Sequence, residues 1–132
     1  MHIFQGAVAD LPEGVRFLEY DKIADARGSL IPFDMDKLPF LPQRLFLVEG
    51  AQGGSRRGQH AHRTAQQLFC CVSGRVGIQV RNGAQSTRFD LVPDGVVALI
   101  EAGTWSAQTY RSKKDRLLVL SSERYSKDSY LD

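Results

Sequence analysis

The chain has 132 residues, of which 42% are hydrophobic and 24% charged, enough for one hydrophobic core and too few for two ordinary domains. Its 17 basic and 15 acidic residues leave a formal charge of +2, so no strong field recommends nucleic acid or an anionic membrane as partner. No apolar run approaches the ~20 residues that cross a bilayer, and the start, Met1 to Ala7, has neither a basic region nor an apolar one, so the expected location is the cytoplasm.

In chain order the sequence predicts short strands separated by turns. Residues 14–20, with Val15, Phe17 and Leu18, read as a first strand, and Asp25-Ala26-Arg27-Gly28-Ser29 as a turn. A second strand is expected over residues 30–33. The prolines of Leu38-Pro39-Phe40-Leu41-Pro42 make that stretch a connector, because each removes a backbone donor and restricts the residue before it. Residues 44–49 form an apolar strand, and Gly50, Gly53 and Gly54 mark a flexible loop. Beyond residues 60–62 come an apolar run at 67–72, a turn at Ser73-Gly74 and an alternating strand at 75–81. Asn82-Gly83 signals a hairpin whose return strand spans 87–92. Pro93-Asp94-Gly95 turns the chain into the β-branched run 96–100, and residues 107–110 and 117–121 complete the set. Helical apolar spacing is missing unless residues 124–131 make a short terminal turn. Strands at this density, with turns every ~8–12 residues, indicate a single all-β sandwich or small barrel.

Two of the three histidines, His60 and His62, stand two apart on one predicted strand and therefore project to the same face. A wet strand face accounts for such a pair by chance, but all interior histidine is concentrated here. The adjacent Cys70 and Cys71 point to opposite faces, which suits neither a disulfide nor a zinc site, and are assigned to packing in a reducing compartment.

The surrounding spacing matches a known frame. Gly54, five residues, His60-Ala61-His62, four residues, Gln67, six residues and Gly74 fit the first cupin motif, with glutamine in place of its glutamate. Gly95, five residues, Glu101-Ala102-Gly103, two residues and Ser106 fit the second, with glutamate for proline and serine for histidine. Metal-binding cupins hold one divalent ion with two histidines, the glutamate and the later histidine. Here only His60 and His62 remain as strong ligands, and catalytic metals usually need three. No metal and no redox cofactor is therefore expected. Unmetallated imidazoles, which titrate near neutrality, point instead to acid–base work.

From about Phe17 to Tyr130 the chain resembles the cupin-fold sugar nucleotide 3,4-ketoisomerases, the WxcM-like family acting on dTDP-4-keto-6-deoxyglucose. The matching pieces are Asp25-x-Arg27-Gly28-Ser29-Leu30, Pro39-Phe40 followed by Arg44, Arg57-Gly58-x-His60-Ala61-His62, Gln67, the Gly74 turn, Trp105, Tyr125 and Tyr130. The resemblance implies a cupin jelly roll (a double-stranded β-helix) over residues 1–132. It also implies a homodimer with exchanged strands, residues 1–13 being the candidate exchanged segment. His60 and His62 take the catalytic roles, and Arg27, Arg44, Arg57, Gln67, Trp105 and Ser106 become candidate substrate contacts. Arginine suits this because its guanidinium matches phosphate with two parallel hydrogen bonds.

The family's two tyrosines after the arginine are Phe46 and Leu47 here, its Glu-Gln is Gln66-Gln67, and its Trp-His is Trp105-Ser106. Bland readings stand beside the functional ones: Arg27 as a turn residue, Trp105 as core, Tyr125 and Tyr130 as packing or dimer contacts, and Arg75, Arg81 and Arg88 as a solvated strand face. The expected activity moves a carbonyl between C4 and C3 of a dTDP-linked 6-deoxyhexose through an enediol, in deoxysugar biosynthesis for surface polysaccharide or glycoconjugate. The alternatives are a non-catalytic sugar-nucleotide-binding cupin, a related nucleotide-sugar epimerase and a metal-dependent cupin.

Overall fold

In the computed structural model, which describes residues 1–4, 6 and 10–131, thirteen β-strands follow one another with two single 3-10 turns. They are β1 (His2–Ile3), β2 (Val15–Glu19), β3 (Ile23–Asp25), β4 (Gly28–Leu30), β5 (Arg44–Val48), β6 (Arg56–His62), β7 (Gln67–Ser73), β8 (Val76–Asn82), β9 (Gln85–Leu91), β10 (Val96–Ile100), β11 (Trp105–Tyr110), β12 (Arg116–Ser121) and β13 (Tyr130–Leu131). The predicted strands are found, with two shifts. Residues 31–33 are not a strand, because Pro32 cannot donate to a ladder; β3 and β4 make a small hairpin instead. Residues 124–131 form a 3-10 turn that runs into β13.

The strands build the two faces of a jelly roll, one sheet in the order β1-β2-β10-β7-β12-β5 and the other β13-β6-β11-β8-β9. Alternation decides which side chains meet between them. Val15 of β2, Phe69 and Cys71 of β7, Ala98 and Ile100 of β10 and Leu117 and Val119 of β12 face Val76, Ile78, Val80, Leu91 and Tyr110 in one cluster. Fully burying one such Val, Leu or Ile is worth about 1.5–3 kcal/mol. The opposite face of the first sheet, Leu18, Leu68, Cys70, Val97, Leu99 and Leu120, is covered by Ile31, Phe33, Leu38 and Phe40 of the connector. The apolar connector thus acts as a lid on the sheet. The two thiols are free and buried on opposite faces, and burial pushes Cys70 up to about 12.

Of the amino-terminal segment expected to exchange between subunits, Gln5, Ala7, Val8 and Ala9 lie outside the described residues, while β1 pairs with β2 of its own chain. Among the described residues no helix is long and apolar enough to cross a membrane.

Candidate active site

The space between the sheets changes character along its length. At one end it is the apolar cluster; at the other it opens into a cavity of about 300 Å³ lined by Arg44, Phe46, Val48, Arg57, Gly58, His60, His62, Gln67, Ser106, Gln108, Tyr125 and Tyr130. The change is written into individual strands. Along the inward face of β11, Tyr110 is core while Gln108 and Ser106 line the cavity, and along β7 Phe69 is core while Gln67 lines it.

The position of the basic groups depends on an irregularity in β6. Ser106 pairs with His60 and Gln108 with Arg57, so three steps on β6 oppose two on β11. The extra residue is accommodated at Gly58 and Gln59, with φ of 84° and 50°, in the left-handed region that glycine reaches freely and glutamine rarely. Without the bulge, residues three apart would point to opposite faces; with it, Arg57, His60 and His62 all face the cavity. Gly58 is further constrained because a Cβ there would lie 2.7 Å from Gln108 Nε2.

The expected contacts divide accordingly. His60, His62, Arg44, Arg57, Gln67 and Ser106 come together, as the sequence reading anticipates. Arg27 does not. It sits at the tip of the β3–β4 hairpin with its side chain 90% exposed and is held by Asp25 Oδ2 at 2.6 Å. Trp105 is likewise excluded, because it precedes Ser106 on β11 and so faces the outside of the sheet. There the guanidinium carbons of Arg81 and Arg56 lie 4.3 and 5.7 Å from its ring centroid. The lining also includes Phe46, Val48, Gly58, Gln108, Tyr125 and Tyr130, none of them among the expected contacts. Gln108 is 8% exposed, and its period-two relation to Ser106 would have revealed it. Tyr130, read from sequence as packing or a dimer contact, stacks on His60 at 4.2 Å between ring centroids and 20° between planes. No sequence rule signals that contact, since it depends on a terminal strand of two residues.

The donor set does not fit a catalytic metal. Imidazoles from His60 and His62 are joined by the neutral amides of Gln67 and Gln108 and the hydroxyl of Ser106, whereas such ions usually take three strong protein ligands. Among the described residues no three His, Cys, Asp or Glu side chains are grouped to hold one. Among the described residues lining this cavity none is acidic, and Arg44 and Arg57 bring positive charge to it.

That environment acts on His62. Burial, then the like charge of His60 and that of Arg44, hold its pKa below the ordinary histidine value, against an opposing pull from Glu123. The unfolded chain therefore binds the proton more readily, and stability falls as pH drops through the ordinary value of about 6.5, until folded His62 itself protonates. Histidine NMR titration should place the His62 midpoint below that value, and His60→Asn should raise it. A native midpoint at or above the ordinary value would contradict this electrostatic picture.

Comparison with known proteins finds relatives along most of the chain. The family FdtA, described as WxcM-like, C-terminal, matches residues 13–132. The curated TDP-4-oxo-6-deoxy-alpha-D-glucose-3,4-oxoisomerase of Aneurinibacillus thermoaerophilus is 26% identical over 117 residues, 88% of this chain and 84% of that protein. QdtA, a sugar 3,4-ketoisomerase from Thermoanaerobacterium thermosaccharolyticum solved in complex with TDP, aligns at a TM-score of 0.87 and 25% identity over 92% of this chain and 89% of its own. The WlaRB TDP-quinovose 3,4-ketoisomerase from Campylobacter jejuni gives a TM-score of 0.85 and 27% identity over 91% and 93%. With its jelly roll, its histidine pair and a family match over nearly its whole length, the chain belongs to the FdtA family of WxcM-like domains.

Proposed function

We propose that this protein is a sugar nucleotide 3,4-ketoisomerase acting on a dTDP-linked 4-keto-6-deoxyhexose. The observation that carries the reading is the convergence of His60 and His62 with Arg44 and Arg57 in one cavity. The names of the relatives, a TDP-4-oxo-6-deoxyglucose oxoisomerase and a ketoisomerase holding TDP, supply the substrate class.

The chemistry follows from those side chains. In the 4-keto sugar the C3 proton is acidified by the neighbouring carbonyl, and a neutral imidazole of the pair removes it. The electron pair flows into the C3–C4 bond and the carbonyl oxygen becomes an enediolate. The partner histidine, in its cationic form, steadies that charge. A proton delivered to O4 gives the enediol; loss of the O3 proton and protonation at C4 then yield the 3-keto product, with no net change in protons or electrons. Arg44 and Arg57 are assigned the diphosphate, and the amides of Gln67 and Gln108 with the Ser106 hydroxyl the sugar hydroxyls. A cytoplasmic location accords with the two free thiols.

We also propose a homodimer. β5 is an edge of its sheet, with Leu45 60% and Leu47 46% exposed, and the β3–β4 hairpin carries Ile23 at 59% and Leu30 at 60%. An uncovered edge and an uncovered hairpin are complementary liabilities, which a second copy resolves. A second copy that covers this hairpin is also the route by which Arg27 would approach a site. Light scattering at micromolar concentration should give twice the chain mass; a monomer would count against the dimer.

Incubation with dTDP-4-keto-6-deoxyglucose in D2O tests the activity. The 3-keto product should form with deuterium at C3 of recovered substrate or C4 of product. His60→Asn and His62→Asn should each lower turnover by ~10²–10⁴-fold while leaving melting temperature and dTDP affinity nearly unchanged. Wild-type turnover in both variants would refute the histidine mechanism, and binding without conversion would favour the non-catalytic alternative.

A further inference from the structure

The sheet that carries the histidines also has an outward side, and register fixes what stands there. Thr109 of β11 pairs with Arg56 of β6 and with Gly77 of β8, and Gly77 pairs with Asp90 of β9. One outward step along, Ala107 pairs with Gln79 and Gln79 with Arg88. Directly opposed residues share a face, and the strand neighbours Arg57, Gln108 and Ile78 point inward, to the cavity or the core. The outward rows are thus small at the centre, at Thr109, Gly77 and Ala107, and long at the flanks, at Arg56 and Arg88. The result is a depression of about 460 Å³ whose lining includes Arg56, Gly77, Gln79, Arg88, Thr109 and Arg111. It lies across the sheet from the histidine cavity.

The charge on this face is one-sided. Arg75 and Arg81 join Arg56, Arg88 and Arg111 there, against the carboxylate of Asp90, whose oxygens hold Arg111 at 3.1 Å and Arg75 at 3.5 Å. Among the described residues Arg56, Arg81 and Arg88 have no carboxylate within ion-pair distance. Five positive groups against one negative leave a formal +4 on this face of a chain whose total is +2, so everything else sums to −2. Like charges gathered on one sheet face work against the fold, and such a departure from local consistency is expected where something is bound. Part of the face is also set in advance. Arg56 Nη2 donates to Gln79 Oε1 at 2.6 Å, and the Arg56 guanidinium carbon lies 5.7 Å from the Trp105 centroid. With its oxygen taken, Gln79 has its NH2 left to donate, and an arginine already held lowers the ordering cost of binding.

We propose that this depression is a second binding site, distinct from the histidine cavity, for the diphosphate group of a small ligand. Planar guanidinium forks match phosphate oxygens two at a time, and here they reach in from β6, from β9 and from the residue that follows β11. Asp90 is neutralised by its two arginines, so the groups left to meet a ligand are the donors of Arg56, Arg88 and Gln79 and the hydroxyl of Thr109. Donors spread over four strands suit a group with several oxygens and several charges better than a single carboxylate. Gly77, in the middle of β8, leaves the backbone open to close approach.

The test is an NMR titration of the full chain with inorganic pyrophosphate and, in a second arm, with TDP, each against sodium chloride at matched ionic strength. Pyrophosphate should shift the backbone amides of Gly77, Gln79, Arg88 and Thr109 saturably. Two variants probe charge and shape separately: Arg88→Gln removes a guanidinium, and Gly77→Val fills the floor. The second should fold, because a Cβ at Gly77 would meet Asp90 Oδ1 at 3.5 Å and Thr109 Cβ at 3.7 Å, ordinary contacts. Each should weaken the outer-face response roughly 10-fold or more while melting temperature holds. If TDP moves the same amides, the site takes the diphosphate of a nucleotide; if TDP moves only residues of the histidine cavity, it takes free pyrophosphate. No saturable shift on the outer face with either compound, a shift that sodium chloride reproduces, or wild-type affinity in either variant would overturn the proposal. These amides report on the outer face alone, so the outcome is independent of whether the protein converts a keto sugar.

Discussion

The site depends on the bulge at Gly58 and Gln59. A β-strand offers alternate residues to alternate faces, so a motif that needs Arg57, His60 and His62 on one side cannot be a regular strand. One inserted residue changes the parity between position 57 and position 60 while leaving the histidines in step. The cost is a non-glycine residue at φ 50°, a conformation that persists only where the surroundings fix it. Gly58 beside it, at φ 84°, takes its own share of the left-handed backbone at no steric cost. Bulges re-aim side chains, and this one aims a guanidinium at the space two imidazoles share.

Around that constraint the interior divides into two halves with different work. The apolar end holds the sheets together, with Tyr110 and Phe69 fully buried among aliphatic neighbours. The polar end is a cavity whose lining, among the described residues, is cationic and neutral. A dianionic diphosphate entering such a space meets complementary charge, and an enediolate formed there meets dipoles and cations already in place. Depression of the His62 pKa belongs to the same design: burial and like charge keep an imidazole in its neutral, proton-accepting form.

Much of this was legible in the residues. Apolar and β-branched runs, the alternation over residues 75–81 and the turn signals between them located β2, β5 and β7 to β12, and the H-x-H spacing put both imidazoles of β6 on one face. What escaped has physical reasons. The β3–β4 hairpin has three residues per strand and no buried face, so no pattern marks it. Trp105 was grouped with Ser106 as a contact, yet neighbours in a strand cannot share a face, and it packs outside with Arg81 and Arg56. Arg27 is carried away by its hairpin and paired locally with Asp25. Tyr130 reaches His60 only through register at the chain's end, a long-range pairing that no local spacing encodes.

The account's central claim is that His60 and His62 face the reacting carbons while Arg44 and Arg57 hold the diphosphate. A crystal structure of His60→Asn with dTDP-4-keto-6-deoxyglucose tests it most directly. The expected result is C3 and C4 of the sugar within about 3.5 Å of residues 60 and 62, with the diphosphate on Arg44 and Arg57. A ligand whose hexose lies away from both positions, or whose nucleotide occupies the outer sheet face beside Trp105 and Arg88 with the inner cavity empty, would contradict the claim.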